Sequence, residues 1–115
     1  MAVKIKRAYE SPAVSDGKRV LVDRLWPRGI SKEKASIDEW VKELAPSDEL
    51  RKWFAHKPER WDEFRRRYRD ELQSSEKQAL LKKLNAETRE RTLTLVYGAK
   101  DTEHNNARAL AELLR

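Results

Sequence analysis

Two short segments hold most of the side chains that can do chemistry. The first reads Asp23-Arg24-Leu25-Trp26-Pro27-Arg28-Gly29. Two guanidiniums flank a Trp-Pro pair, and the proline restricts the backbone at its own position and the one before it. An arginine fork matches carboxylate or phosphate, and a neighbouring indole offers a stacking face. Arg24, Trp26 and Arg28 are therefore candidate ligand-binding residues, an anion clamp with an aromatic wall. The competing reading packs Trp26 into the core and pairs Arg24 with Asp23 or Asp101.

The second segment reads Tyr97-Gly98-Ala99-Lys100-Asp101-Thr102-Glu103-His104-Asn105-Asn106. Gly98 permits a tight exit from a strand. Asp101 or Thr102 suits the cap of a following helix, whose first amides would then face a cleft as an anion site. Lys100 adds charge, and His104 is the side chain here suited to proton transfer near neutral pH. Lys100 and His104 are thus the candidate catalytic residues, with Lys100, Asn105 and Asn106 as candidate ligand contacts. Spacing does not choose between the two asparagines. Asp23 or Asp101 would orient the lysine or the histidine. The plainer reading makes Asp101 a cap and the asparagines helix-start punctuation.

Sharper motifs are missing. Ser31-Lys32-Glu33-Lys34 matches S-x-x-K, but the S-D-N and K-T-G companions are absent and the segment is highly charged. There is no Walker A loop, no G-x-G-x-x-G and no G-x-S-x-G. Two histidines, at 56 and 104, with no cysteine make a poor transition-metal set, so neither a metal nor a cofactor is expected. Arg65, Arg66, Arg67 and Arg69 form a basic run that suits either nucleic-acid phosphates or the solvated face of an amphipathic helix.

The elements that must position these residues follow from periodicity. Val3 and Ile5 alternate with Lys4 and Lys6, the pattern of a half-buried strand. Ser15-Asp16-Gly17 signals a turn before the apolar run Arg19 to Asp23, read as a buried strand. Trp40 to Leu44 suits a strand or a helix, and its shortness before Pro46 favours the strand. Ser47 caps a helix with Leu50, Trp53 and Phe54 on one face. Pro58 opens the next, where Trp61, Phe64, Tyr68 and Leu72 form a stripe. These aromatics, Trp53 and Trp61 included, are expected in one cluster. A third helix, 75–89, carries Leu80, Leu81 and Leu84. Thr92 to Tyr97 is the clearest strand, and a last helix turns Ala107, Leu110, Ala111 and Leu114 inward. Strands separated by helices predict a small Rossmann-like, three-layer α/β fold with a mainly parallel sheet of about four strands. The segments 19–23 and 92–97 should be central and adjacent. Ligands of such sheets sit beyond the carboxyl ends of the strands, where both chemical loops begin.

The 115 residues correspond to one domain, 1–115, with no length left for a second core. Charged residues make up 40% of the chain against roughly 25% in ordinary globular proteins. Four tryptophans and regularly spaced leucines still argue for a folded core. A net charge of +6 favours anionic partners, either a small anionic ligand or nucleic acid. The absence of cysteine removes disulfides, thiolate metal sites and cysteine nucleophiles together. The first residues lack the apolar stretch of a secretory signal, and no apolar run approaches the ~20 residues of a membrane span. The expected compartment is the cytoplasm, and the oligomeric state is left open.

With these residues in view the chain resembles a known family. Val20-Leu21-Val22-Asp23-Arg24-Leu25-Trp26-Pro27-Arg28-Gly29 resembles the signature of the YeaO-like proteins, bacterial and archaeal proteins of unknown function. Lys6-Arg7-Ala8-Tyr9, Ala45-Pro46-Ser47 with Glu49-Leu50-Arg51-Lys52, Thr94-Leu95-Val96-Tyr97 with Ala99-Lys100, and His104-Asn105-Asn106-Ala107 extend the likeness over essentially the whole chain. The resemblance implies a small Rossmann-like domain and brings no activity, substrate or cofactor with it. Three functions fit the residues. The first is binding of, or action on, a small phosphorylated or nucleotide-like anion in a basic, Trp-lined pocket. The second is a nucleic-acid-binding accessory protein, and the third is a protein-interaction module. No nucleophile accompanies the candidate residues, so whether the chain is an enzyme is left open.

Overall fold

Leu93-Thr94-Leu95-Val96-Tyr97 is an uninterrupted run of apolar, β-branched and aromatic residues, and it forms a strand, β4, in which all five are buried. The fold is that of a computed structural model describing residues 2–114. β4 pairs in parallel with β1 (Val3–Arg7) on one side and β2 (Lys18–Leu21) on the other. β3 (Glu39–Trp40) adds to the far side of β2, also in parallel, giving the order β1-β4-β2-β3. The two apolar runs are thus central and adjacent, as their composition requires. Register brings Ile5 and Val20 opposite Leu95 from either side. The pairing of β2 and β4 runs one residue further, with Val22 N donating to Val96 O at 3.1 Å, so Asp23 is the first residue past it.

Side chains of successive strand residues point to opposite faces. Val20, Val22, Leu93, Leu95 and Tyr97 belong to the larger core cluster, under the longer helices. These are α2 (Asp48–Phe54), α3 (Trp61–Glu71), α4 (Ser75–Glu87) and α5 (Asn106–Ala111). Ser47 and Ser74 cap α2 and α4 by accepting from the amides of Leu50 and Lys77. Leu21, Val96 and Ala8 form a second cluster with Trp26, Ile30, Ile37 and Trp40. That layer is thin, made of loops and the single turn α1 (Lys32–Ala35). Helices, sheet and this thin layer make a small three-layer Rossmann-like domain.

One local expectation changes. Trp40 to Leu44 is not one strand. Val41, at φ −103° and ψ 72°, ends β3, and Lys42–Leu44 winds into a 3-10 turn. The turn is held in place because the buried Tyr68 hydroxyl donates to Leu44 O. The aromatics gather as expected in one cluster. Phe54, Phe64, Trp61 and Tyr68 meet ring to ring in series, and the half-buried Trp53 packs against the same core with the guanidiniums of Arg60 and Arg67 over its ring. Gly17 is required where the chain enters β2. Its φ is +63°, and a Cβ there would lie 2.2 Å from Thr92 O, which accepts from Lys18 N.

Candidate functional site

The exits of β2 and β4 lie side by side, and a cleft of about 280 Å³ opens between them. Asp23 holds its inner end. One carboxylate oxygen accepts from Gly98 N at 2.8 Å and the other from Asn106 Nδ2 at 3.1 Å. The same Asn106 amide donates to Val22 O at 2.9 Å. This half-buried carboxylate therefore clasps both strand exits to the first turn of α5. A Cβ at Gly98 would stand 3.2 Å from Asp23 Oδ2, a tight contact that would push the carboxylate back by a few tenths of an ångström. Burial pushes the Asp23 carboxyl above its ordinary value. The Asn106 and Gly98 hydrogen bonds and the charge of Arg51 pull the other way without cancelling it.

Arginine comes to the cleft from two elements. Arg24 follows β2, its side chain 38% exposed, and its guanidinium makes two 3.3 Å contacts to Pro46 O. Its nearest carboxylate is Asp48, at 3.8 Å, too far for a hydrogen bond. Arg51, on α2, lines the same cleft with 48% of its side chain exposed and bonds Asp48 at 3.1 Å. One exposed aspartate thus stands between two guanidiniums, and the buried Arg24–carboxylate pair that would have made Arg24 a core residue is not formed. Phe54 and Phe64 supply the apolar wall, with the exposed Leu25 at the rim.

His104 lines the cleft in a fixed orientation. Its Nδ1 lies 3.0 Å from Asp101 Oδ2, and its ring meets the edge of Trp61 at 5.4 Å. Asp101 is held below the ordinary carboxylate range chiefly by the Glu103 amide, with His104 adding to it. His56 comes to the cleft from the end of α2. It gets there through two consecutive left-handed residues, Ala55 at φ 48° and His56 itself at φ 57°, neither of them glycine. Such conformations cost of order 1–3 kcal/mol and are kept where surrounding structure dictates them.

The structure divides the sequence-derived candidates. Arg24, His104, Asn105 and Asn106 line one cleft, together with Asp23. Both asparagines are committed to the fold: Asn105 caps α5 by accepting from Arg108 N and donates to Asp101 O, and Asn106 serves the clasp. Trp26, Arg28 and Lys100 are not among the lining residues. Trp26 lies on the opposite face of the sheet, edge-on to Trp40 at 5.5 Å, with its indole N–H satisfied by Ile30 O at 2.7 Å. It covers the face that the long helices leave open, so the aromatic wall consists of Phe54 and Phe64 instead. Arg28 is exposed in the loop that Tyr9 fastens through its hydroxyl to Arg28 O, and Lys100 is exposed beyond Ala99. The expected amide anion site is also spent. Asp101 accepts from the amides of Glu103 and His104, which delays α5 to Asn106.

Arg51, His56, Phe54 and Phe64 were not picked out from the sequence as site residues. Arg51 and Phe54 are three apart on α2 and so share a face, a visible spacing read only for its apolar members. His56 gave no signal, because the turn that places it has no glycine. Among the described residues no three His, Asp or Glu side chains gather as a metal-binding group, and no helix is long and apolar enough to cross a membrane.

A model of the family described as "Inactive DUF488-N3 subclade" matches residues 2–115. The uncharacterized protein YeaO of Escherichia coli is 45% identical over 115 residues, covering 100% of this chain and 98% of its own. An uncharacterized protein of Mycobacterium tuberculosis is 45% identical over 112 residues, covering 97% of this chain and 92% of its own. No solved structure matches the chain significantly. Match and identity both span nearly the full length, and the chain belongs to the YeaO-like family, within the subclade described as inactive.

Proposed function

We propose that the cleft binds a small anionic ligand, held at its anionic end by Arg24 and Arg51 and along its apolar part by Phe54 and Phe64. The observation that carries this reading is the pair of half-exposed guanidiniums on one cleft, sharing a single exposed carboxylate, Asp48. Two cations with so little internal neutralisation are best satisfied by a charge from outside. Position supports it as well, since the carboxyl ends of adjacent central strands are where parallel sheets take ligands. The volume, at the lower end of ordinary ligand pockets, favours a metabolite carrying one phosphate or carboxylate over a dinucleotide.

Binding without turnover is the preferred form of the proposal. Asp101 and His104 make a pair suited to proton transfer, but no serine, threonine or lysine lines the cleft, and the carboxylate of Asp23 that does is already bonded to Gly98 and Asn106. The description of the subclade as inactive agrees with this. A nucleic-acid surface has less support. Of the basic run on α3, Arg65, Arg66 and Arg67 are paired with Asp62, Glu63 and Glu112, which favours a solvated face, while the exposed Arg69 has no ion pair among the described residues.

A thermal-shift screen of phosphorylated and carboxylated metabolites at constant ionic strength should yield saturable stabilisation. Arg24→Gln and Arg51→Gln should each weaken the selected ligand roughly ten- to a hundred-fold by calorimetry, the effect of losing a charge-assisted hydrogen bond. Both variants should unfold within a degree or two of the parent, as expected for surface substitutions of about 0.5 kcal/mol or less. Stabilisation that survives both substitutions would remove the cleft from consideration.

A further inference from the structure

We infer that the ligand carries a hydrogen-bond donor, a hydroxyl or an ammonium, a few atoms from its anionic group, and that Asp23 receives it. The inference rests on the reading of the cleft as an anion site. Asp23 lines the same cleft as Arg24 and Arg51. An ionised carboxylate offers about four acceptor positions. Asp23 fills one on each oxygen, with the neutral Gly98 and Asn106 donors, and makes no ion pair. The remaining positions are open to a further donor, on a residue that lines the cleft.

A carboxylate at the inner end of an anion pocket works against a simple anion. An inorganic phosphate or an alkyl phosphate would meet Arg24 and Arg51 but also the like charge of Asp23, with nothing to bond it. A ligand with a donor beside its anion turns that repulsion into a hydrogen bond, so Asp23 selects as much by exclusion as by attraction. Burial, which already disfavours the bare Asp23 charge, makes a donor from the ligand more effective than it would be in water. Asp48 does not do the same job, because it lies at the rim and is 58% exposed.

The test compares ethyl phosphate, 2-hydroxyethyl phosphate, 2-aminoethyl phosphate and 3-aminopropyl phosphate on the wild-type protein by calorimetry at one pH and ionic strength. The donor-bearing probe of matching length should bind at least about tenfold tighter than ethyl phosphate. In Asp23→Asn, whose amide keeps one acceptor, that ratio should fall toward one while ethyl phosphate binds better. Equal affinity for all four probes in the wild type overturns the role of Asp23 and leaves the anion site standing. Binding of none of them overturns both. The wild-type series decides the question even if Asp23→Asn does not fold.

Discussion

Two aspartates show how residue type alone underdetermines chemistry. Asp16 and Asp23 both sit beside β2, and burial raises the cost of ionising each. At Asp16 that cost is overcome. The Ala13 amide, Lys6 at 3.2 Å and Arg19 at 2.6 Å hold its carboxyl below the ordinary range. Arg19 is itself buried, and the rest of its guanidinium donates to Ala35 O. Neutralising this carboxylate leaves a buried guanidinium without its counter-charge, so Asp16→Asn should cost roughly 3–5 kcal/mol at neutral pH. The loss belongs to a group whose folded pKa is lowered. The wild-type advantage is therefore full above the ordinary carboxylate value and shrinks as pH falls toward the lowered one, which urea unfolding between pH 2 and 7 will read. Asp23 runs the other way. Its folded pKa is raised, so the folded state holds the proton over a range where the unfolded chain has released it. Stability relative to Asp23→Asn should then fall as pH rises from the ordinary carboxylate value through the elevated one. A difference curve with the same slope for both aspartates would refute the assignment. None of this was legible in the sequence, where Ser15-Asp16-Gly17 read only as a turn. The Asp16–Arg19 pair closes across Gly17, and only the backbone geometry there brings the two together.

At the scale of elements, legibility followed the strength of the local signal. β2, β4, α2, α3 and α4 announced themselves through apolar runs, stripes and serine caps. α5 was placed too early because three cap-type residues, Asp101, Thr102 and Asn105, compete within one loop. The tertiary fold gave Asp101 to its own loop amides and His104, and gave Asn105 to the helix. α1 and β3 are too short for any period to show. Of the two readings of Trp26, pocket wall or core residue, the sequence does not choose, because a loop residue has no strand alternation to fix its direction; it packs with Leu21, Val96 and Trp40. The pairing of α2 with α3 is where packing and site meet, since Phe54 and Phe64 stack at 4.5 Å between centroids and also wall the cleft. Phe64 is 2% exposed, and Phe64→Ala should cost about 3–5 kcal/mol in chemical denaturation. A loss under about 1 kcal/mol would mean that α3 does not pack here. The same truncation should weaken ligands with apolar parts more than inorganic phosphate.

For the whole molecule, the arrangement sets a cleft lined in part by loops at the end of a buried central strand. β4 is hydrogen-bonded on both sides, to β1 and β2, and every one of its residues is buried. That much was legible from the sequence, because a continuous apolar β-run in a parallel sheet has to be central. The cleft is lined by parts of what leaves this strand and its neighbour, residues 98–99 and 104–106 after β4 and 23–25 after β2, together with Pro46, Arg51, Phe54, His56 and Phe64. These loops carry few buried side chains, and scattered hydrogen bonds such as Gly98 to Asp23, Arg7 to Ala99 O and Trp26 to Ile30 O hold them. Local stability should therefore grade steeply across a few residues. Native-state hydrogen exchange should show the amides of Leu95, Val96 and Tyr97 opening only with global unfolding, while those of residues 99–104 exchange through small local fluctuations. Saturation with an anionic ligand should raise protection in 98–106 and in 51–56 and leave β4 nearly unchanged, because the strand is already at its limit. Uniform protection along the whole segment 93–105 in the free protein would mean that the loop is part of the core, and that the cleft is not a place where the molecule has room to adapt to a ligand.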